Sequence, residues 1–379
     1  MLSQANGHFM NWFIVVAISI FSVLFLFLGF RLTGIGHYSW WIAAVSISIL
    51  SLYPMVWYGI LAELPDKVLR AVVHFNMGLL GIVTAFLVIR DLIFLPVKLF
   101  KPDWANTAFS MPATLMVAAA GIVLLIFGYR NASLGPQIVK VRVPIANLPV
   151  ALENYTILQI SDLHAGAGIS RAYVEKVVRQ AIGLKADVIV LTGDIADGNF
   201  EMFRDHLEPL GRLTAHAPVL YITGNHEYLR DSEKWVEHFG QMGFQILLNK
   251  HTLFFKGSSS ILFAGVTDPA VKEIRPNDGP DIEQAISASP VSDIKILLAH
   301  QPNIAQQASM HFDLQLSGHT HAGQFFPWNL IIKLLQSYSS GLKKCGPMWV
   351  YTNSGTGFWG PPLRIGTTSE ITILELGSM

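Results

Sequence analysis

The sequence predicts two unlike parts. Residues 1–130 read as a transmembrane region of about four helices, and residues 131–379 as an α/β domain whose β-sheet layers are flanked by helices. Three observations predict this. Only 14% of the residues are charged, against roughly 25% in an average soluble chain, and just eleven of those charges fall at or before Arg130. Up to that point the chain holds four long uncharged runs. Beyond it come five short apolar runs, each stopping at an aspartate, asparagine or histidine.

Trp12 to Phe30, about nineteen residues, is the first run and is long enough for a helix to cross about 30 Å of hydrocarbon. Trp40 to Ala62 is the second, with Pro54 as a point of kinking. Ala71 to Ile89, between Arg70 and Arg90, is the third, and Met111 to Tyr129, closed by Arg130, is the fourth. Trp12, Trp40, Trp41, Trp57, Tyr58 and Tyr129 stand near run ends, as interfacial aromatics do. A cleaved signal peptide would be shorter and would not be followed by three more runs. His74 and Asn76, early in the third run, read as polar groups bonded to a neighbouring helix or lying at the interface. Asp91 to Ser110, with Lys98, Lys101, Pro102 and Trp104, reads as an interfacial loop.

An even number of spans puts the N-terminus and the α/β domain on one side of the membrane. Lys67, Arg70, Arg130, Lys140 and Arg142 flank the domain side, and Arg31, Arg90, Lys98 and Lys101 the other. The small basic excess predicts a multi-pass membrane protein with its domain in the cytoplasm. Cys345 is the one cysteine, which excludes an intramolecular disulfide and fits a reducing compartment. A formal net charge of zero offers no basic field for nucleic acid. The expected partner from these features is the lipid bilayer, and no nucleic acid.

In the second part, "YTILQISD" is an apolar strand ending at Asp162. "SRAYVEKVVRQAIGL" is a helix, with Ser170 as N-cap and Val174, Val177, Val178 and Ile182 at helical spacing. "ADVIVLTGD" is a strand ending at Asp194, "APVLYITGNHE" one ending at Asn225 and His226, "IKILLAHQP" one ending at His300, and "FDLQLSGHTH" one ending at His319 and His321. Most of these runs are continuous rather than alternating, as where a sheet is covered on both faces.

Ligands of α/β sheets bind at the carboxyl ends of the strands. Asp162, His164, Asp194, Asn225, His226, His300, His319 and His321 therefore converge on one edge. Their donors are oxygen and imidazole nitrogen without thiolate, which favours Mn²⁺, Fe or Zn²⁺ over Ca²⁺. His319 and His321 are two residues apart, so in an extended segment both rings point the same way and serve two adjacent ions. Gly318 and Gly323 let the backbone turn there.

The blocks "DLH", "GDIAD", "GNHE", "AH" and "GHTH" follow in this order and resemble the calcineurin-like metallophosphoesterases from Ile157 to Leu376. The tail "YTNSGTGFWGPPLRIGTTSEITILEL" is similar to the bacterial membrane-associated phosphodiesterase branch of that family. Some members of the wider family hydrolyse UDP-2,3-diacylglucosamine. The resemblance implies two divalent metal ions, foremost Mn²⁺, bridged by Asp194 and a hydroxide that attacks phosphorus in line. Asp162, His164 and His321 would complete one shell, and Asn225, His300 and His319 the other. His226 would be catalytic, protonating the leaving oxygen, and Asp197 would orient it or a ligand. Arg364 in "PPLR" would bind phosphate.

The expected function is that of a membrane-anchored phosphoesterase, a phosphodiesterase or pyrophosphatase on a lipid-linked or envelope substrate. The alternative is a non-hydrolytic membrane sensor or scaffold with a metal-binding domain, which has no need of His226. His206, His216, His238, His251 and His311 read as surface or locally bonded. "FFPWNLIIKLLQSY" reads as a short helix from Trp328, with Asn329, Lys333, Gln336 and Ser337 on one face. It lies either in the membrane interface with Lys333 near headgroups or packed on the sheet or the helical bundle.

Overall fold

The computed structural model describes residues 63–379 continuously and, before them, only Ser19, Val23, Phe27, Ala44, Val45, Ser48, Ile49 and Leu52. The first two predicted spans, those positions apart, lie outside the described residues. The chain divides into two compact units. The helical unit is Met1–Ser133 with Phe325–Pro327 and Gly360–Ile365, and the larger unit is Leu134–Gln324, Trp328–Trp359 and Gly366–Met379.

The described part of the helical unit contains α1 (Glu63–Val97), α2 (Pro102–Ala108) and α3 (Met111–Ser133). Within it, Lys67–Val97 and Met111–Ser133 are long and apolar enough to cross a membrane. The loop expected from Asp91 to Ser110 is corrected: α1 runs on to Val97 and α2 takes Pro102–Ala108. The reason lies at Arg90. Its guanidinium donates to Asp91 Oδ1 at 3.2 and 3.1 Å and to Thr114 Oγ1 of α3 at 2.9 Å. It also lies over the Phe109 ring at 5.3 Å. A charge satisfied between helices gives no cause for α1 to stop. Close packing of the pair uses Gly121, where a Cβ would stand 2.6 Å from Val83.

Two segments from far along the chain complete this unit. Phe325 is buried with Ile82, Leu363 and Ile365, and Phe86, Leu124, Leu125 and Phe326 pack around them. The Arg364 amide donates to the Gly128 carbonyl at 3.0 Å, and the Asn131 side chain to the Arg364 carbonyl at 3.2 Å.

The larger unit is built of strands β1 (Gln137–Ile145), β2 (Thr156–Ile160), β3 (Ala165–Gly166), β4 (Val188–Thr192), β5 (Ala196–Asp197), β6 (Val219–Ile222), β7 (Gln245–Ile246), β8 (Lys250–Lys256), β9 (Ser259–Gly265), β10 (Ile294–Leu298), β11 (Leu314–Ser317), β12 (Gly341–Cys345), β13 (Met348–Thr352) and β14 (Glu370–Ser378). Between them run α4 (Arg171–Gly183), α5 (Phe200–Leu207), α6 (Asn225–Leu229), α7 (Ser232–Gln241), α8 (Ile282–Ile286), α9 (Ala305–Ala308) and α10 (Trp328–Leu335). One sheet has the order β1-β14-β2-β4-β6-β7, the other β12-β13-β11-β10-β9-β8, and β3 pairs with β5. β2, β4 and β6 are parallel, as are β9, β10, β11 and β13.

The continuous apolar strands are explained by two cores served in alternation. Val188 and Val190 of β4 join Ile296, Leu298, Leu314 and Leu316 between the sheets. Ile189 and Leu191 face the other way, with Val174, Val177 and Val178 of α4 and Trp235 and Phe239 of α7. Beyond the second sheet, Leu297 packs with Ala285 of α8 and Ala305 and Ala308 of α9. The layers are helix, sheet, sheet, helix. Ser170 occupies the N-cap position of α4, but its side chain makes no capping bond.

Candidate metal centre

Every strand that ends in a singled-out residue belongs to the parallel part of a sheet. Asp162 and His164 follow β2, Asp194 follows β4, and Asn225 and His226 open α6 after β6. His300 follows β10, and His319 and His321 follow β11. Parallel strands end on the same side, so all these side chains meet. Asp162, His164 and His321 form one group whose donor atoms lie within 4.8 Å of one another, and Asp194, His300 and His319 form a second. Asn225 Oδ1 joins the second group, 2.9 Å from His319 Nδ1. Asp194 Oδ2 stands between the groups, 3.7 Å from His164 Nε2 and 3.2 Å from His300 Nε2.

The backbone is bent hard to achieve this. Asp162, His164, Asp194, His319 and His321 all have positive φ, between 49 and 71°, a region costing non-glycine residues about 1–3 kcal/mol each when held there. The expected extended segment at His319 and His321 is therefore corrected. Both are left-handed, and the rings diverge, His319 to the Asp194 group and His321 to the Asp162 group. Two glycines give the loops room to approach. A Cβ at Gly318 would meet Asp162 Oδ2 at 2.1 Å, and one at Gly224 would meet Asp194 Oδ1 at 2.2 Å.

The donor chemistry fits two divalent cations. His300 Nδ1 lies 2.8 Å from the Thr192 carbonyl. A carbonyl only accepts, so Nδ1 carries a proton. Nε2 faces Asp194, whose attraction outweighs burial and raises the ring well above its usual range, and a cation held between the two would take the place of the proton on Nε2. That Nε2 is buried without a hydrogen-bond partner. His164 Nε2 and His321 Nε2 face each other at 3.0 Å, and His321 Nε2 lies 3.5 Å from Asp162 Oδ1. At 3.0 Å one ring can donate to the other. With the ring protons on Nδ1 instead, both nitrogens present lone pairs, which repel in a buried site unless positive charge sits among them. Nitrogen and carboxylate donors without sulfur suit Mn²⁺, Fe or Zn²⁺.

Burial pushes Asp162 above the usual carboxylate range. Burial acts the same way on Asp194, but the imidazoles of His300, His226 and His164 overcome it and hold that carboxyl well below its usual range. His226 is raised to about 9, because the attraction of Asp194 and Asp197 outweighs burial. His319 is lowered to about 3 by burial and by His300. Asp197 sits beside two rings, its Oδ1 3.2 Å from His226 Nδ1 and its Oδ2 3.7 Å from His164 Nδ1. His226 also falls within 4.8 Å of His164 and Asp194, so distance alone does not separate it from the other candidate ligands. Asn225, His319, Asp197 and Trp359 are half-buried, which marks the side from which a ligand reaches the cluster.

Three placements go beyond the sequence reading. The buried carboxylate of Glu227 accepts four backbone amides. Oε1 takes Ile195 and Ala196 at 2.7 and 3.0 Å, and Oε2 takes Gly224 and Asp194 at 2.7 and 3.0 Å. It staples the Asp194 loop to the start of α6, and a glutamate three residues after a helix N-cap is the signal that announces this. Trp359 stands edge-on to His226 with centroids 5.6 Å apart, held by Gln324 through Trp359 N–H to Oε1 and Nε2–H to the Trp359 carbonyl, both at 2.9 Å. No local signal announces that pair. Arg364 is fully buried and belongs to the helical unit.

Residues 155–323 match the family described as calcineurin-like phosphoesterase. The chain is 35% identical over 276 residues to a transmembrane protein with metallophosphoesterase domain from Danio rerio, covering 70% of this chain and 63% of that one. It is 36% identical over 223 residues to an uncharacterized metallophosphoesterase of Helicobacter pylori, covering 58% of this chain and 59% of that protein. It is 32% identical over 270 residues to an uncharacterized metallophosphoesterase of Campylobacter jejuni, covering 69% of each. The chain belongs to the calcineurin-like metallophosphoesterase family. It spans about three fifths of the length of the first two relatives.

Proposed function

We propose that the protein is a membrane-anchored phosphoric ester hydrolase that binds two divalent metal ions, Mn²⁺ foremost, and cleaves a phosphodiester or pyrophosphate in a lipid-linked or envelope substrate. The observation that carries this reading is the pair of ligand groups with Asp194 between them. Asp162, His164 and His321 would hold one ion, and Asn225, His300 and His319 the other, with Asp194 common to both. When bound, such ions supply Lewis acidity at the phosphate and make water acidic enough to attack at neutral pH. The chain's own part is order. Glu227 fixes the Asp194 loop, and Asp162 takes the His319 amide proton on Oδ1 and Oδ2, at 2.9 and 3.1 Å. His226, kept protonated by Asp194 and Asp197, would give its proton to the leaving oxygen. A sensor or scaffold has no use for that acid, so the His226–Asp197 arrangement disfavours the non-hydrolytic alternative. Full burial of Arg364 supports no contact with substrate phosphate.

Four spans, two of them in α1 and α3, and a cytoplasmic active site in a bacterial inner membrane complete the proposal. Phosphoesterases named as transmembrane proteins among the relatives support the membrane part. The test uses purified full-length protein stripped with a chelator and supplied with Mn²⁺, assayed on soluble bis(p-nitrophenyl) phosphate and on a diphosphate lipid in mixed micelles. Activity should vanish on chelation, return with Mn²⁺, and favour the lipid. Full hydrolysis by a metal-free sample would sink the reading. Protease added to intact spheroplasts should spare the domain, and its digestion there would place the active site outside.

A further inference from the structure

The helix after the "GHTH" loop is turned inside out for a soluble surface. In α10, the polar Asn329 is buried, while Leu330, Leu334 and Leu335 are 54, 86 and 75% exposed and Trp328 is exposed beside them. Single exposed leucines are ordinary. Three leucines and a tryptophan among eight residues form a patch of the kind that marks a membrane or partner surface. Packing on the sheet, one of the two expected outcomes, would have buried these leucines, and it does not.

Chain continuity says what covers the patch. Pro327, bonded to Trp328, belongs to the helical unit. There Phe325 packs with Ile82, and Phe326 lies 5.7 Å, centroid to centroid, from Phe86. Ile82 and Phe86 fall in the uncharged run between Arg70 and Arg90. At 1.5 Å per residue, Ile82 is about 18 Å along the axis from Arg70, more than half of a hydrocarbon layer about 30 Å thick. Backbone outside a helix is tolerated at such depth only when protein surrounds it, which the cluster around Phe325 provides. α10 thus begins one peptide bond from a segment built among apolar helices, and its leucines have no water-filled reason to be outward. Lys333, on the same helix and exposed, is long enough to carry its ammonium to headgroups while its stem stays apolar.

We propose that the exposed face of α10, Leu330, Leu334 and Leu335 with Trp328, is seated in the acyl region of the bilayer that α1 and α3 enter. The occupant is lipid, not a second copy of the chain. The helix lies along the membrane rather than across it, being only eight residues long. This goes beyond the hydrolase chemistry and rests only on the membrane part of the proposed function.

The test reads position, not activity. The full chain carrying Cys345→Ser, which removes the one cysteine, receives a single cysteine at Leu330, Leu334 or the control Val291, itself 98% exposed. Cys345→Ala serves as a second background should the serine disturb the buried site. Each cysteine takes a nitroxide label, and the protein is reconstituted in phosphatidylcholine–phosphatidylglycerol vesicles. Oxygen concentrates in acyl chains and a nickel chelate stays in water. Labels at Leu330 and Leu334 should show an oxygen-to-nickel collision ratio several-fold above that at Val291. A ratio equal to the Val291 control would overturn the proposal. So would suppression of both collision rates with dipolar coupling between Leu334 labels on two chains, which would give the face to a second copy.

Discussion

In α1, Arg90 gives its protons to Asp91 and to Thr114 of α3, and the cluster is complete without help. At the strand ends of the larger unit the side chains are just as buried and far more strained, but they are not complete. His300 Nε2 has no hydrogen-bond partner, and imidazole nitrogens and carboxylate oxygens crowd together around Asp162 and Asp194. Both regions put polar groups where water is scarce. The difference is that one matches donors to acceptors, whereas the other collects acceptors and leaves the positive partner to be supplied. Polarity that closes on itself holds helices together. Polarity that stays open binds something.

The largest expected effect breaks the open region at its shared member. Asp194→Asn keeps the shape, and its oxygen can still accept the His226 amide that Oδ1 now takes at 2.8 Å. It removes the charge common to both groups. Metal analysis should fall from two ions per chain to fewer than one, with activity below that of His321→Ala, which affects a single group. Two ions retained in Asp194→Asn would show that the carboxylate is not shared.

Next comes the acid. His226→Ala should keep two ions and lose roughly 10²–10⁴-fold in kcat, the usual worth of a positioned proton donor. The pH profile separates this from a structural role. Raised to about 9, the ring is protonated at neutral pH and loses its proton as pH rises, so activity should fall on the alkaline side. Cations bound beside it move that limb toward lower pH. The alanine variant should lack the limb, and a lost ion in it would make His226 a ligand instead.

Glu227→Gln sharpens the comparison from within the site. One amide oxygen cannot accept all four N–H groups, and each buried one left unpaired costs about 1–3 kcal/mol. The expected result is a lower Tm and weaker Mn²⁺ binding, with kcat at saturating Mn²⁺ within a few-fold of the parent. Unchanged metal affinity would show that the staple does not position Asp194.

The smallest effect belongs to the closed region. Thr114→Val deletes one acceptor of Arg90 and should cost about 0.5–2 kcal/mol by denaturation in detergent. Metal content and turnover should not move. A change in either would mean that the closed cluster is not merely structural.

Strand ends were readable because each apolar run stops abruptly at a residue with ligand chemistry, and parallel strands have to stop on one side. Asp162, Asp194, His300 and His319 stand out in this way from the sequence alone. The fate of Asp91–Ser110 could not, because Arg90 looks like a boundary until Thr114 is beside it. Nor could the Gln324–Trp359 pair, whose partners are thirty-five residues apart.

By itself, the sequence determined the existence of two parts, the helix–sheet alternation and the donor set, since these depend on local runs, periodicity and residue type. Only the tertiary structure shows how the chain achieves the division of donors that the family resemblance implies. Neighbouring His319 and His321 go to different groups because positive φ at both turns their rings apart, a choice enforced by the close approach of Gly318 to Asp162. Only the tertiary structure, too, assigned Phe325–Pro327 and Gly360–Ile365 to the helical unit. Their apolar residues would suit any core. Which core takes them depends on non-local packing against Ile82, Leu124 and Leu125, far away in sequence, and no pattern inside the segments encodes that.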